Sequence, residues 1–234
     1  SAADIKKAGR QARVAANNHP ELHQLLATLA RTAGMKLPQM YLLRSDSPYI
    51  YTIPGGSGTI VLSTGLRDGL EEAELKALIA HELGHINSHH VRTTLAIKYI
   101  TNANPVFKVL FFPVLIIKLF SGGWADLAEF SSDRFAVLVT DNSEALNVAL
   151  VRQAVLADKQ ADITPEELEA YLSSAGDIST DSTQMERHFR IGSFIGTQPN
   201  LQERISQIRD YLSSDEYSQG REKMEQLRSR LGGS

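Results

Sequence analysis

The sequence predicts an α+β fold in which helices dominate, and three observations carry that reading. Two short β-rich runs flank the turn-forming segment Pro54-Gly55-Gly56-Ser57-Gly58, and this hairpin pattern sits between helical stretches. Strands and helices therefore do not alternate, which excludes a parallel α/β fold. Leucines at helical spacing precede the β region, and helix-forming segments fill the chain from Leu70 onward. With 234 residues, 42% hydrophobic and 22% charged, the chain is globular and long enough to bury a substantial core as one domain spanning 1–234.

The elements follow in order. Residues 3–17 are Ala-rich with mixed charges and are expected to be helical. A second helix is expected over 21–33, with Leu22, Leu25, Leu26 and Leu29 on one face, Gly34 as its stop and Pro38 opening extended chain. These N-terminal helices occupy 1–36. Strands are expected at 40–43, 49–53 and 59–62, within a β region 37–64 that forms a small antiparallel sheet with 49–62 as a hairpin. Glu71, Glu72 and Glu74 mark a helix N-terminus, where the helix dipole favours negative charge, and that helix is expected to run past His90 toward Ile100. Further helices are expected near 124–140, 143–158, 165–173 and 200–212, so that 70–212 forms a helical block. A charged helix closes the chain within 213–234.

Composition excludes several functions. Net charge is −3, which argues against neutralising a nucleic-acid backbone, so no nucleic-acid partner is expected. The chain has no cysteine. That removes disulfide scaffolds, thiol nucleophiles and Cys-ligated metal sites, without fixing the compartment. No segment has the pattern of a signal peptide or a full transmembrane span, and any anchor is expected to lie outside this chain, which begins at Ser1.

The chemistry is concentrated in His81-Glu82-Leu83-Gly84-His85. A helix turns about 100° per residue, so side chains four apart share a face and both imidazoles can reach one ion. Glu82, on the flank of that face, can take a proton from a water held by the metal without being a ligand. Gly84 permits close approach of another element. His85 and His89 are also four apart, but Ile86 stands where their base would be. His90 faces the other side of the helix and is expected to be a hydrogen-bonded structural residue. A catalytic zinc needs a third protein ligand. A third His in the extended motif would stand at position 91, which is Val91. A carboxylate from another helix is the better candidate. Glu129 and Asp133 lie four apart among apolar residues, so that Glu129 can ligate while Asp133 orients a ligand imidazole. Asp126 stays open as a substitute, and a solvated acidic face is the competing reading.

These motifs resemble the gluzincin metallopeptidases that include HtpX and the CAAX prenyl endopeptidases, from about Leu42 to Ile205. The carrying blocks are Leu62-Ser63-Thr64-Gly65-Leu66 with the motif helix, Glu129-Phe130-Ser131-Ser132-Asp133-Arg134-Phe135-Ala136, and Pro199-Asn200-Leu201-Gln202-Glu203-Arg204-Ile205. His90 has a counterpart in the family. The resemblance implies a mostly helical zincin-like domain that binds one zinc ion through His81, His85 and Glu129. It implies an endopeptidase with Glu82 as general base, Asp133 behind the ligands and Arg204 bracing a carboxylate near the site. The competing reading of Arg204 is a surface ion pair with Glu203. One departure stands out: where the family places an active-site His before the Pro, this chain has Gln198, which donates a hydrogen bond but carries no charge. His188 and Arg190 are candidate replacements.

Expected partners are protein or peptide substrates, added as a strand to the edge of the hairpin. The apolar run 105–120, with two prolines and two lysines, is too short to span a bilayer. Core or lid packing, contact with a membrane surface or membrane protein, and a homo-oligomer interface all stay open for it. The resemblance favours a bacterial periplasmic or membrane-associated setting and a role in protein quality control. The rival from another class is a weak or inactive relative acting as a binding or chaperone-like module.

Overall fold

The computed structural model describes residues 12–53, 56–88, 121–157 and 201–232. Helices dominate, and a three-stranded sheet flanks them. In chain order the elements are α1 (Pro20–Thr32), β1 (Gln39–Leu43), β2 (Ile50–Ile53), β3 (Thr59–Ser63), α2 (Thr64–Asp68), α3 (Glu72–Asn87), α4 (Ser121–Thr140), α5 (Ser143–Ala157), α6 (Leu201–Leu212) and α7 (Asp215–Gly232).

The N-terminal expectation fails where it is described. Residues 13–17 do not continue a helix: Arg13 bridges antiparallel to Tyr41, and the Val14 amide donates to the Met40 carbonyl at 2.9 Å. Asn18 closes a local turn instead, accepting from the Ala15 amide at 2.8 Å and donating to the Arg13 carbonyl at 2.7 Å. Residues 1–11 lie outside the described residues. Helix α1 follows as expected, with Pro20 in its first turn and Leu22, Leu26 and Leu29 buried. Gly34, at φ 65°, ends it, with the Met35 amide donating to the Ala30 carbonyl at 2.8 Å.

The sheet is mixed, not antiparallel. Its order is β1-β3-β2. The expected hairpin is present as the antiparallel β2–β3 pair, but β1 runs parallel to β3 along its other edge. The central position of β3 explains its unbroken apolar run: Ile60, Val61 and Leu62 are each fully buried. Ser63 then caps α2, its hydroxyl accepting from the Leu66 amide at 3.2 Å.

Helix α3 is the centre of the molecule. Leu75, Ala77, Leu78, Ile79, Ala80 and Leu83 are buried among α1, α4, α5 and the sheet. Its N-terminus is fixed by the Glu71 amide donating to Glu74 Oε2 at 3.0 Å, and Glu74 in turn pairs with Arg152 of α5 at 3.2 Å. The helix ends at Asn87 with Ser88 as its C-cap, short of the expected run past His90 toward Ile100. The apolar run 105–120, the helix near 165–173, and His89, His90, His188, Arg190 and Gln198 lie outside the described residues. Gly84 is where α4 crosses α3. A Cβ there would sit 2.8 Å from Ser132 Cα, closer than side chains are found, so only glycine allows this approach.

Helix α6 buries Arg204, Ile205, Ile208 and Tyr211. Helix α7 packs on α4 and α1, with the Arg228 guanidinium donating to the Val139 carbonyl at 3.2 Å. No helix among the described residues is long and apolar enough to cross a membrane.

Candidate metal centre

The central helix delivers two imidazoles to one point. His81 and His85 project from one face of α3, and their Nε2 atoms lie 3.1 Å apart. The close crossing at Gly84 brings α4 against that face and puts Glu129 opposite both rings. Its Oε2 is 3.4 Å from His81 Nε2, and its Oε1 is 3.4 Å from His85 Nε2. Ligand atoms of His81, His85 and Glu129 all lie within 4.8 Å of one another.

One turn further along α4, Asp133 stands behind His81. Its Oδ1 lies 2.8 Å from His81 Nδ1. A proton on Nδ1 facing this carboxylate leaves Nε2 as the atom that meets a metal. Arg204, reaching in from α6, closes the back of the site. It grips Asp133 with two bonds, Nε to Oδ2 at 2.8 Å and a terminal nitrogen to Oδ1 at 2.6 Å. Its other terminal nitrogen lies 3.4 Å from Glu129 Oε2. Arg204 is thus a buried bridge between two carboxylates and not a surface partner of Glu203.

The charges hold one another in place. Burial opposes protonation of His81, but the Asp133 carboxylate outweighs it and pushes the pKa up to about 9. Burial likewise opposes ionisation of Glu129, and His81, His85 and Arg204 together outweigh it, holding the carboxyl well below its usual range. Asp133 is depressed in the same way, burial being overcome chiefly by Arg204.

The residues fit a divalent cation. Glu129 Oε2 is buried and accepts no hydrogen bond among the described residues; it lies 3.4 Å from His81 Nε2 and 3.4 Å from an Arg204 nitrogen, while Oε1 faces His85 Nε2. A nitrogen–nitrogen–carboxylate donor set suits zinc, and would also take cobalt or manganese. A cation at His81 Nε2 replaces the proton that the apo site carries there.

Glu82 is buried beside the centre on α3, and Thr52 Oγ1 of β2 donates to its Oε2 at 2.6 Å. Sequence inspection missed Thr52. Its partner is thirty positions away, and a threonine in a strand attracts no notice. Asp126, the substitute ligand left open above, is absent from the cluster, which consists of His81, His85 and Glu129.

A small sheet beside a buried helix with His-Glu-X-X-His, and a carboxylate supplied by the crossing helix, form a cluster that could hold a metal ion in an α+β domain. The chain matches the family model "Peptidase family M48" over residues 16–212 and belongs to that family of metallopeptidases. It is 32% identical over 155 residues to the plastoglobule-localized metallopeptidase 48 of Arabidopsis thaliana, covering 64% of this chain and 44% of that protein. A protease HtpX homolog of Aquifex aeolicus is 36% identical over 74 residues, 31% of this chain and 24% of the relative. The crystal structure of S. mikatae Ste24p shares the fold, with a TM-score of 0.51 at 16% identity, covering 80% of this chain and 49% of that one. The chain spans less than half the length of each of these proteins.

Proposed function

We propose that the chain is the catalytic domain of a zinc-dependent endopeptidase. The observation that carries this is the convergence of His81, His85 and Glu129 with Glu82 beside them on the same helix. His81 Nε2, His85 Nε2 and the Glu129 carboxylate would hold one zinc ion. When bound, that ion acidifies a water and polarises the scissile carbonyl. Asp133 fixes the His81 tautomer, and Arg204 fixes Asp133. Glu82 accepts the proton of the attacking water and returns it to the departing amine. Protein or peptide substrates add as a strand alongside β2, the outer strand in the order β1-β3-β2. Action in protein quality control at or near a membrane rests on the sequence resemblance and on the apolar run 105–120.

Metal analysis and hydrolysis of an unfolded protein test this together. The wild type is expected to hold near-stoichiometric zinc and to cleave. Glu129→Ala and His85→Ala should lose the metal, whereas Glu82→Gln should keep it and lose hydrolysis. Wild-type protein that takes up no zinc on reconstitution overturns the reading. Glu82→Gln protein that still binds unfolded substrate, beside an inactive wild type, would instead mark a chaperone-like binding module.

A further inference from the structure

We propose that Thr52 is a positioning residue for the proton-accepting carboxylate, holding Glu82 from the edge strand. This rests on the peptidase reading and deepens it. Thr52 Oγ1 lies 2.6 Å from Glu82 Oε2 and 3.3 Å from the Glu82 main-chain oxygen. A hydroxyl has one proton to donate, and the shorter contact to a charged acceptor falls in the range of strong charge-assisted bonds. The proton therefore goes to Oε2. With Oε2 engaged by Thr52, Oε1 is left to take the proton from water.

The holding group is itself stiff. Thr52 is β-branched, with restricted χ1 freedom, and its backbone is paired opposite Ile60 of the central strand. An unheld glutamate has several rotatable bonds and samples orientations that miss the water. The same four-residue strand is the proposed seat of the substrate backbone. One rigid element thus sets both the register of the peptide and the aim of the base, and Thr52 joins the two. Its loss should act on the chemical step and not on binding.

The test uses Thr52→Val, which keeps shape and strand preference, and Thr52→Ser, which keeps the hydroxyl. Thr52→Val is expected to lower kcat by up to about a hundredfold with KM, zinc affinity and melting temperature unchanged, and Thr52→Ser to recover most of the loss. A second readout needs neither metal nor activity. In zinc-free protein labelled with ¹³C at glutamate carboxyls, the Glu82 resonance, assigned by its disappearance in Glu82→Gln, should move in Thr52→Val and stay in place in Thr52→Ser. A resonance that does not move in Thr52→Val overturns the contact, whatever the protein catalyses. A parallel fall of kcat, melting temperature and zinc affinity reduces Thr52 to a structural residue. Wild type without hydrolysis, in which the resonance still moves, removes the peptidase reading and Thr52's role in kcat while the contact stands.

Discussion

Substituting Gly84 by Ala should weaken the metal centre without touching a ligand. The added Cβ meets Ser132 Cα at 2.8 Å and Phe135 Cβ at 3.2 Å. The first of these is backbone and cannot rotate away. Reaching the 3.4 Å where ordinary contact begins requires α4 to retreat by 0.6 Å. Overpacking of this kind costs about 1–3 kcal/mol. Replacing a helical glycine returns about 1 kcal/mol of helix propensity. The net loss is therefore about 0–2 kcal/mol, or at most roughly 8 °C in melting temperature for a chain of this size. Ser132 lies on α4 between Glu129 and Asp133, so the retreat draws the carboxylate ligand away from both imidazoles. Site geometry tolerates about 0.5 Å, and zinc affinity should fall at least about tenfold. Competition against a fluorescent zinc chelator measures the affinity, and thermal unfolding of the apo protein measures the packing. Gly220→Ala is the control. Its Cβ would meet Leu138 Cδ2 at 2.9 Å, the end of a flexible side chain away from the metal centre. Gly84→Ala protein that melts at or above the wild-type temperature, with unchanged zinc affinity, would refute the close-crossing account.

Three further outcomes follow from the same geometry. Asp133→Asn removes the carboxylate behind His81, and zinc affinity should fall about tenfold to a hundredfold by chelator competition, with the three ligands intact. Arg204→Met breaks the buried guanidinium pairs to Asp133 and Glu129 and leaves Asp133 only its His81 contact, so denaturant unfolding should show a loss of about 3–5 kcal/mol. In apo protein the pKa of His81 is raised to about 9, so its contribution to stability is complete below about pH 6.5 and is lost as pH rises through 9; melting temperature should decline across that window, and His81→Gln should flatten the decline.

What the sequence made legible was chiefly what is local. His81, Glu82 and His85 announce themselves because helical periodicity puts a ligand pair on one face within five residues. The β2–β3 hairpin was equally legible, since Pro54-Gly55-Gly56-Ser57-Gly58 is turn chemistry between β-rich runs. Glu129 and Asp133 were visible as a spaced pair, but spacing alone left Asp126 open; the crossing of α4 over α3 decides which carboxylate faces the rings. Arg204 lies 71 residues from Asp133, and only resemblance to relatives pointed to it. The parallel pairing of β1 with β3 left no signal, because short apolar strands carry no register information until they are packed. Helix propensity misled at 13–17, where an Ala-rich run is held as an edge bridge and an Asn18 turn. Thr52 shows the limit most plainly: its role lies in a contact between elements.

The buried Arg204 clamp also has a consequence in time. A ribosome releases His81, Glu82, His85 and Glu129 well before residue 204 emerges. Until α6 arrives, Asp133 and Glu129 lack the guanidinium that pairs with them, and two carboxylates share one buried corner with only the His81 and His85 imidazoles facing them. The growing chain would thus carry the three candidate ligands while the metal centre is unfinished, and completion would wait for the C-terminal helices to dock. On the proposed peptidase reading, the centre would stay idle until the chain's own folding is nearly done. Stalled chains that still hold residues 201–212 inside the ribosome should bind zinc more weakly than chains extended far enough to release them, and equal affinity would remove the delay.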